Sequence, residues 1–220
     1  MDQLKLLKLI EKEKIIAIIR KVYGDDLLFL VDTLITAGIK LFEVTFDQKD
    51  PDCINKTCNS IYSILHNYKS DCICGAGTVL SCEQVKAAVD AGAALIISPN
   101  SNEKVIRYTK KLESISIPGA MTSTEIIGAH ECGADFVKVF PASNLGSSYI
   151  KNLLSPISHV KLLAVGGVNV DNFGSFLESG CVGAGIGGSL TNRMLITERN
   201  KSKLIENAKN FVRIAAERSN

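Results

Sequence analysis

Short apolar runs alternate with longer helical patterns from one end of the chain almost to the other. This alternation is typical of βα units, which build a parallel sheet. An amphipathic helix with Leu4, Leu7 and Ile10 at helical spacing comes first. The apolar runs then predict eight strands, near Ile15–Arg20, Leu41–Thr45, Cys72–Gly77, Ala94–Ser98, Ser114–Pro118, Phe136–Phe140, Leu162–Gly166 and Val182–Gly187.

Eight such strands favour the α/β class, with a single eight-stranded TIM (β/α)8 barrel and an extra N-terminal helix. The last helix carries Leu204, Ala208 and Phe211 on one stripe, as expected for a helix that covers the outside of a barrel. A chain of 220 residues without a Pro- or Gly-rich linker predicts one domain, 1–220. A doubly wound open sheet is the alternative, but no Gly-x-Gly-x-x-Gly turn follows the first strand.

Two predicted strands each contain one ionisable residue, Glu43 and Lys138, which are costly to bury. Both strands end soon after the charge, so each side chain is expected near the C-terminal mouth of the barrel, where such barrels place their chemistry. Because successive side chains point to opposite faces of a strand, Arg20 and Thr78 are also predicted to point into the barrel. A structural ion pair is the alternative, but convergence of four polar side chains favours a functional site.

These residue types suit imine chemistry on a keto acid. Burial in an apolar barrel lowers the pKa of a lysine, so Lys138 is predicted to offer a neutral amine to a ketone. A carboxylate such as Glu43 can move the protons that Schiff-base steps require. Thr78 and Arg20 suit a substrate carboxylate. Phe140 could pack over a flat imine, or it could be an ordinary core aromatic.

Glycine-rich segments follow the last two predicted strands, at Gly166-Gly167 and at Gly185-Ile186-Gly187-Gly188-Ser189. Loops after strands seven and eight of such barrels often bind phosphate together with the N-terminus of a short helix. Glycine permits the close approach of backbone to ligand that such a site needs. The segments therefore predict a phosphate site.

Composition narrows the possible partners. The chain has 25 Lys and Arg against 23 Asp and Glu, a net charge of +2 with both signs interspersed. Such a distribution argues against binding to nucleic acid or to an anionic membrane, and it favours a small-molecule partner. The seven cysteines follow no zinc-type spacing, and neither a signal peptide nor a long apolar span is present. We therefore expect a reduced, cytoplasmic protein without a metal site.

Several segments together resemble the class I aldolases of 2-keto-3-deoxy-6-phosphogluconate (KDPG), whose bifunctional members also cleave 4-hydroxy-2-oxoglutarate (KHG). They run in family order through nearly the whole chain, and their combination is highly specific. The matching segments are Ala17-Ile18-Ile19-Arg20, Glu43-Val44-Thr45, Gly75-Ala76-Gly77-Thr78-Val79-Leu80, Ile97-Ser98-Pro99-Asn100, Pro118-Gly119-Ala120-Met121-Thr122, Lys138-Val139-Phe140-Pro141-Ala142, Val165-Gly166-Gly167-Val168 and Gly187-Gly188-Ser189.

The resemblance implies a homotrimeric barrel that needs no metal or organic cofactor. It also implies a role for each matching position. These are Lys138 as the Schiff-base lysine, Glu43 as the acid/base, Arg20 and Thr78 at the pyruvate carboxylate, Pro99 and Phe140 as walls of the pyruvyl pocket, and Gly166, Gly167, Gly188 and Ser189 at the phosphate.

Two positions depart from the family pattern. Many members carry an Arg two residues after the Glu-Val-Thr segment, on the pyruvyl carboxylate, whereas this chain has Asp47. The phosphogluconate branch usually has Thr before the double glycine, whereas this chain has Val165. The Val-Gly-Gly-Val stretch resembles the branch that acts on the galactonate-derived epimer. Val165 is therefore predicted to influence selectivity at C4 of the substrate.

The expected function is reversible retro-aldol cleavage of KDPG to pyruvate and glyceraldehyde 3-phosphate, or of KHG to pyruvate and glyoxylate. The substrate partner is then a phosphorylated keto sugar acid. Cleavage of 2-keto-3-deoxy-6-phosphogalactonate is one alternative. A phosphate-binding barrel isomerase that forms no imine is another, and a catalytically silent barrel that serves as a binding module is a third.

Overall fold

The computed structural model describes residues 2–218, which form one parallel sheet wrapped by helices. Every strand pair in the sheet is parallel, as the βα pattern predicts. The strands are β1 (Ile15–Ile19), β2 (Leu41–Thr45), β3 (Ile73–Gly77), β4 (Leu95–Ile97), β5 (Ile115–Ile117), β6 (Gly119–Ala120), β7 (Val137–Val139), β8 (Leu162–Val165) and β9 (Gly183–Ile186).

The helices of the described part alternate with these strands. They are α1 (Gln3–Glu13), α2 (Gly24–Thr36), α3 (Cys53–Tyr68), α4 (Cys82–Asp90), α5 (Glu103–Lys111), α6 (Ser123–Glu131), α7 (Ala142–Leu145), α8 (Ser147–Leu154), α9 (Val170–Glu178), α10 (Arg193–Thr197) and α11 (Lys201–Glu217). None of the helices in residues 2–218 has both the length and the apolar character that a membrane crossing requires.

The nine strand segments correspond to eight barrel strands. The sheet order is β5-β4-β3-β2-β1-β9-β8-β7-β6, so its two ends are β5 and β6, which only Pro118 separates in the chain. Proline has no backbone N–H, and the ladder is interrupted there. The Phe136 backbone N–H donates to the carbonyl of Ser116 (3.3 Å), and the Lys138 N–H donates to the carbonyl of Pro118 (2.9 Å). The split fifth strand thus joins β4 to β7, and the predicted α/β barrel is confirmed.

Two apolar layers hold the barrel together. The outer layer lies between strands and helices, and it includes the predicted stripe of α11. The inner layer fills the barrel below the strand ends and includes Ile16, Leu41 and Phe136. Leu6 and Ile10 of α1 join this inner layer and close the N-terminal end of the barrel.

The predicted buried face of α1 is wrong in one respect. Leu4 is 58% exposed, whereas Leu6 and Ile10 are buried. Helical spacing alone allows several apolar stripes on this leucine-rich helix, and the barrel end selects the one that reaches its interior.

Candidate active site

A cavity of about 660 Å³ opens at the C-terminal end of the barrel strands. Its walls come from β1, β2, β7, β8 and β9 and from the loops that follow strands, including those after β3 and β4. The eleven residues that the sequence singles out all line it: Arg20, Glu43, Thr78, Pro99, Lys138, Phe140, Val165, Gly166, Gly167, Gly188 and Ser189. The structure thus brings the predicted set together, while the chemical role of each residue stays a prediction.

Lys138 occupies the middle of β7, and its side chain is almost fully buried, at 5% exposure. Burial lowers the pKa of Lys138 from its ordinary value, the nearby Arg20 lowers it further, and Glu43 opposes the shift. The Lys138 Nζ atom lies 5.2 Å from the centroid of the Phe140 ring. A lysine in this setting has a larger share of neutral amine near pH 7 than a lysine in water.

Glu43 reaches the same cavity from β2 and is 3% exposed. Burial raises the pKa of its carboxyl group, against the opposing charges of Lys138 and Arg20. A Cβ atom added at Gly77 would overlap the carboxylate of Glu43. Glycine at the end of β3 therefore makes the room that the carboxylate occupies, which gives the second glycine of the Gly-Ala-Gly-Thr segment a physical reason.

Thr78 lines the cavity, but not for the reason that strand alternation suggests. Alternation places Cys74 and Ala76 inside the barrel with Thr78, and that prediction is wrong: both lie in the outer layer. Ile73 packs against the inner layer instead. Thr78 has a φ of +57°, in the left-handed region, so the regular alternation ends at this residue. Its side chain reaches the cavity because the backbone turns there.

Asp47 stands where the resemblance suggests an Arg on the pyruvyl carboxylate. Its Oδ2 atom forms an ion pair with Lys21 Nζ at 2.7 Å. This contact lowers the pKa of the Asp47 carboxyl. Arg20, the residue before Lys21, lines the cavity and carries a positive charge there.

The loop after β8 has two consecutive residues in the left-handed region, Gly166 with φ +93° and Gly167 with φ +71°. A Cβ at Gly167 would collide with Ser143 Oγ, so this loop requires glycine. The expected helix after this strand is α9, and Asn169 caps it by accepting hydrogen bonds from the backbone N–H groups of residues 171 and 172.

After β9 the structure differs from the prediction of a short helix. Residues 188–190 form a turn, in which the N–H of Leu190 donates to the carbonyl of Gly187 at 2.8 Å, and α10 begins only at Arg193. The two loops are nevertheless joined, because Ser189 Oγ donates to the carbonyl of Val168 at 3.1 Å.

Sequence reasoning missed two polar residues of the cavity wall, Asn169 and Thr191. The sequence contained a signal for Asn169, because Asn-x-x-Asn at the start of a helical pattern predicts a capping box, and the structure shows one between Asn169 and Asn172. Thr191 carried none. Its Oγ1 atom donates to the carbonyl of Ile18 at 3.1 Å, far away in sequence.

Within residues 2–218, no group of three or more His, Cys, Asp or Glu side chains could hold a metal ion.

Comparison with known proteins agrees with this geometry. The family model described as KDPG and KHG aldolase matches residues 6–207. The chain belongs to this family. The 2-dehydro-3-deoxy-6-phosphogalactonate aldolase of Escherichia coli K12 is 37% identical over 180 residues, which cover 81% of this chain and 85% of that protein. The 2-dehydro-3-deoxy-phosphogluconate aldolase of Haemophilus influenzae is 30% identical over 198 residues, which cover 89% and 90%.

Solved structures of the KDPG and KHG aldolase family share the fold. A native KDPGal structure matches with a TM-score of 0.82 and 34% identity, over 93% of this chain and 95% of that chain. The KDPG aldolase of Legionella pneumophila, solved with pyruvate captured as a covalent carbinolamine intermediate, matches with a TM-score of 0.83 and 25% identity, over 95% and 97%. The chain is therefore an aldolase, a lyase by reaction class.

Proposed function

We propose that this aldolase reversibly cleaves 2-keto-3-deoxy-6-phospho sugar acids to pyruvate and glyceraldehyde 3-phosphate through a Schiff base on Lys138. One observation carries the proposal. A buried lysine with a lowered pKa and a buried carboxyl with a raised pKa line one cavity, whose wall also contains two glycine-rich loops. The relatives described above are named for such substrates.

The reaction begins when the neutral amine of Lys138 attacks the C2 ketone. The carbinolamine loses water to give an iminium ion, which withdraws electrons from the C3–C4 bond. Glu43, as carboxylate, takes the proton from the C4 hydroxyl, and the C3–C4 bond breaks to release the aldehyde and leave an enamine. Protonation of the enamine at C3, by Glu43 directly or through water, and hydrolysis of the iminium ion release pyruvate and restore Lys138.

The pyruvyl part of the substrate is proposed to lie among Arg20, Thr78, Pro99 and Phe140. Arg20 offers a guanidinium group and Thr78 a hydroxyl group to the carboxylate. Both line the cavity with Glu43, and they follow β1 and β3, the strands on either side of β2. Pro99 and the Phe140 ring supply flat apolar walls. Arg20 is the only cationic side chain besides Lys138 among the described lining residues, so it carries most of the electrostatic attraction for the carboxylate.

The phosphate is proposed to lie between Gly166-Gly167 and Gly188-Ser189. The carbonyl of Gly166 accepts from Ser143 N–H at 3.0 Å, and the carbonyl of Gly167 accepts from a side-chain amide at 3.0 Å. In a trans peptide unit the N–H points opposite to the carbonyl. The N–H groups that follow these carbonyls therefore point away from those protein partners, as a backbone anion site needs.

The proposal includes the galactonate-derived epimer. Val165 lines the cavity just before the glycine loop and has no hydrogen-bonding group for a C4 hydroxyl. An apolar wall discriminates the placement of a hydroxyl only weakly. The 37% identity to an aldolase named for the phosphogalactonate substrate points the same way. We therefore expect the phosphogalactonate epimer to be cleaved at least as well as the phosphogluconate one.

Borohydride trapping tests the imine. Incubation with pyruvate and borohydride should attach one reduced pyruvyl group, and mass spectrometry of the peptides should place it on Lys138. Lys138→Ala should abolish both trapping and turnover. Lys161→Ala is the matched control, because Lys161 also lies near an aromatic ring, at 5.8 Å from the Phe136 centroid, but outside the cavity. An isomerase that forms no imine would show no adduct, and an adduct on another lysine would contradict the assignment.

A homotrimer is also proposed. The support is the family resemblance and a 34% identical match to a cage designed by fusing symmetric oligomeric domains. Light scattering coupled to size exclusion should give three times the 23.7 kDa mass of the chain.

A further inference from the structure

Two residues, one that lines the cavity and one that directly follows a lining residue, have a left-handed backbone although they are not glycine. Lys21, directly after Arg20, has a φ of +56°, and Thr78 has a φ of +57°. Such a conformation is unfavourable for a residue with a Cβ atom, most of all for a β-branched residue such as threonine, and it persists where the surroundings hold it. Arg20 and Thr78 are also the two proposed ligands of the substrate carboxylate.

Two consecutive residues just beyond β2 contact these two left-handed residues through their side chains. Asp47 Oδ2 pairs with Lys21 Nζ at 2.7 Å, and Gln48 Nε2 donates to the carbonyl oxygen of Thr78 at 2.7 Å. β2 lies between β1 and β3 in the sheet, so the loop that follows it can reach the loops on both sides. The same loop thus contacts both neighbours through side chains.

A third side chain orients the Gln48 amide. Gln84 is buried at the start of α4, and its Nε2 atom donates to Gln48 Oε1 at 3.1 Å. Its own Oε1 atom accepts from the N–H of Leu80 at 2.8 Å. With its oxygen engaged by Gln84, Gln48 directs its NH₂ group to Thr78. The carbonyl of Thr78 and the N–H of Leu80 are therefore both hydrogen-bonded to the linked side-chain amides of Gln48 and Gln84.

We propose that Asp47 and Gln48 are positioning residues, which hold Arg20 and Thr78 on either side of Glu43 so that both meet the substrate carboxylate. The inference rests on the proposed function, because it assumes that an imine forms with a keto acid. Asp47 carries a negative charge and cannot itself bind a carboxylate. It acts through Lys21 on the backbone next to Arg20, and Gln48 acts through the backbone of Thr78.

The test measures how pyruvate and pyruvamide saturate the borohydride-trapping reaction. Pyruvamide forms the same imine but has no carboxylate. Gln48→Met should raise the half-saturating concentration of pyruvate roughly 3- to 10-fold, the range for one lost hydrogen bond. Asp47→Ala should raise it by a smaller factor, about 2- to 5-fold, because the Lys21–Asp47 ion pair is partly exposed to solvent. Both variants should leave the value for pyruvamide unchanged. Asp47→Glu should recover part of the loss. In turnover the effect should fall on KM, with kcat little changed.

Asp32→Ala is the matched control. It removes a similarly short and half-exposed ion pair, Lys201 Nζ to Asp32 Oδ2 at 2.8 Å, which contacts neither left-handed residue, so it should behave as wild type. Unchanged pyruvate saturation in both Asp47→Ala and Gln48→Met would overturn the inference. Equal weakening for pyruvate and pyruvamide would also overturn it, since that result indicates general disorder. A wild type that pyruvate does not modify would instead overturn the proposed function, and the inference with it.

Discussion

Replacement of Glu43 by glutamine tests the proton-transfer role that we propose for this residue. Glutamine keeps the size and the hydrogen-bonding capacity of the side chain, so the variant should fold and should still form an imine with pyruvate. Of the described residues that line the cavity, Glu43 is the only carboxylic acid. No neighbouring group of the same kind can replace it, and general acid–base help is typically worth about 10²–10⁴-fold. We expect a loss in kcat within that range, which corresponds to about 2.7–5.4 kcal/mol in the barrier.

The same substitution should affect stability in a direction that the pKa of Glu43 sets. Burial raises the folded-state pKa above its ordinary value of 4.5. The folded protein then binds the proton more tightly than the unfolded chain, so wild-type stability falls as the pH rises from about 4.5 through the folded-state pKa. Glutamine has no such titration. Glu43→Gln should therefore be at least as stable as wild type at pH 8, and this relative advantage should diminish toward pH 4.

The assay couples pyruvate release to lactate dehydrogenase, and thermal melts at pH 4 and pH 8 follow stability. Glu103→Gln is the matched control, because it makes the same chemical change at a surface residue that forms an i,i+4 ion pair with Arg107. It should keep wild-type turnover. Full activity of Glu43→Gln would refute the role. A variant that also fails to be trapped by pyruvate would show that Glu43 is needed for imine formation or for binding, and not for bond cleavage alone.

Two further substitutions test the remaining parts of the site. Gly188 has no left-handed backbone, and a Cβ atom there meets nothing within 4 Å, so Gly188→Asp adds a negative charge without strain. This substitution should raise KM for the phosphorylated substrate about tenfold or more. It should raise KM for KHG much less. Gly188→Ala should leave both KM values unchanged, and equal losses on both substrates would place the phosphate elsewhere. Val165→Thr should shift the preference toward the phosphogluconate epimer, measured as the ratio of kcat/KM values for the two epimers. A wild type that already prefers that epimer about a hundredfold, about 2.7 kcal/mol, would contradict the assigned role of Val165.

The local pattern of the sequence was sufficient to predict the barrel and to select Glu43 and Lys138 at its mouth, whereas Pro99 was identified only through the family resemblance. Asn169 and Thr191, which line the same cavity, were missed. Strand alternation is a property of the extended backbone, so it correctly turned Glu43 and Lys138 into the same cavity. The rule misplaced Cys74 and Ala76, because these residues of β3 face the outer layer. Thr78, from which the alternation was counted, follows the end of the strand and has a left-handed backbone. Backbone φ values of this kind are not visible in a pattern of apolar positions.

Only the tertiary structure decided how the candidate site is supported. Asp47 meets Lys21, and Gln48 meets Thr78 across 30 positions of sequence. Both contacts depend on β1, β2 and β3 being neighbours in a fixed register, which side-chain periodicity alone does not specify. The split of the fifth strand at Pro118 likewise appears only when both partner strands are in place. Local preferences determine which segments are strands, whereas contacts between distant segments determine which polar groups those strands bring within hydrogen-bonding distance.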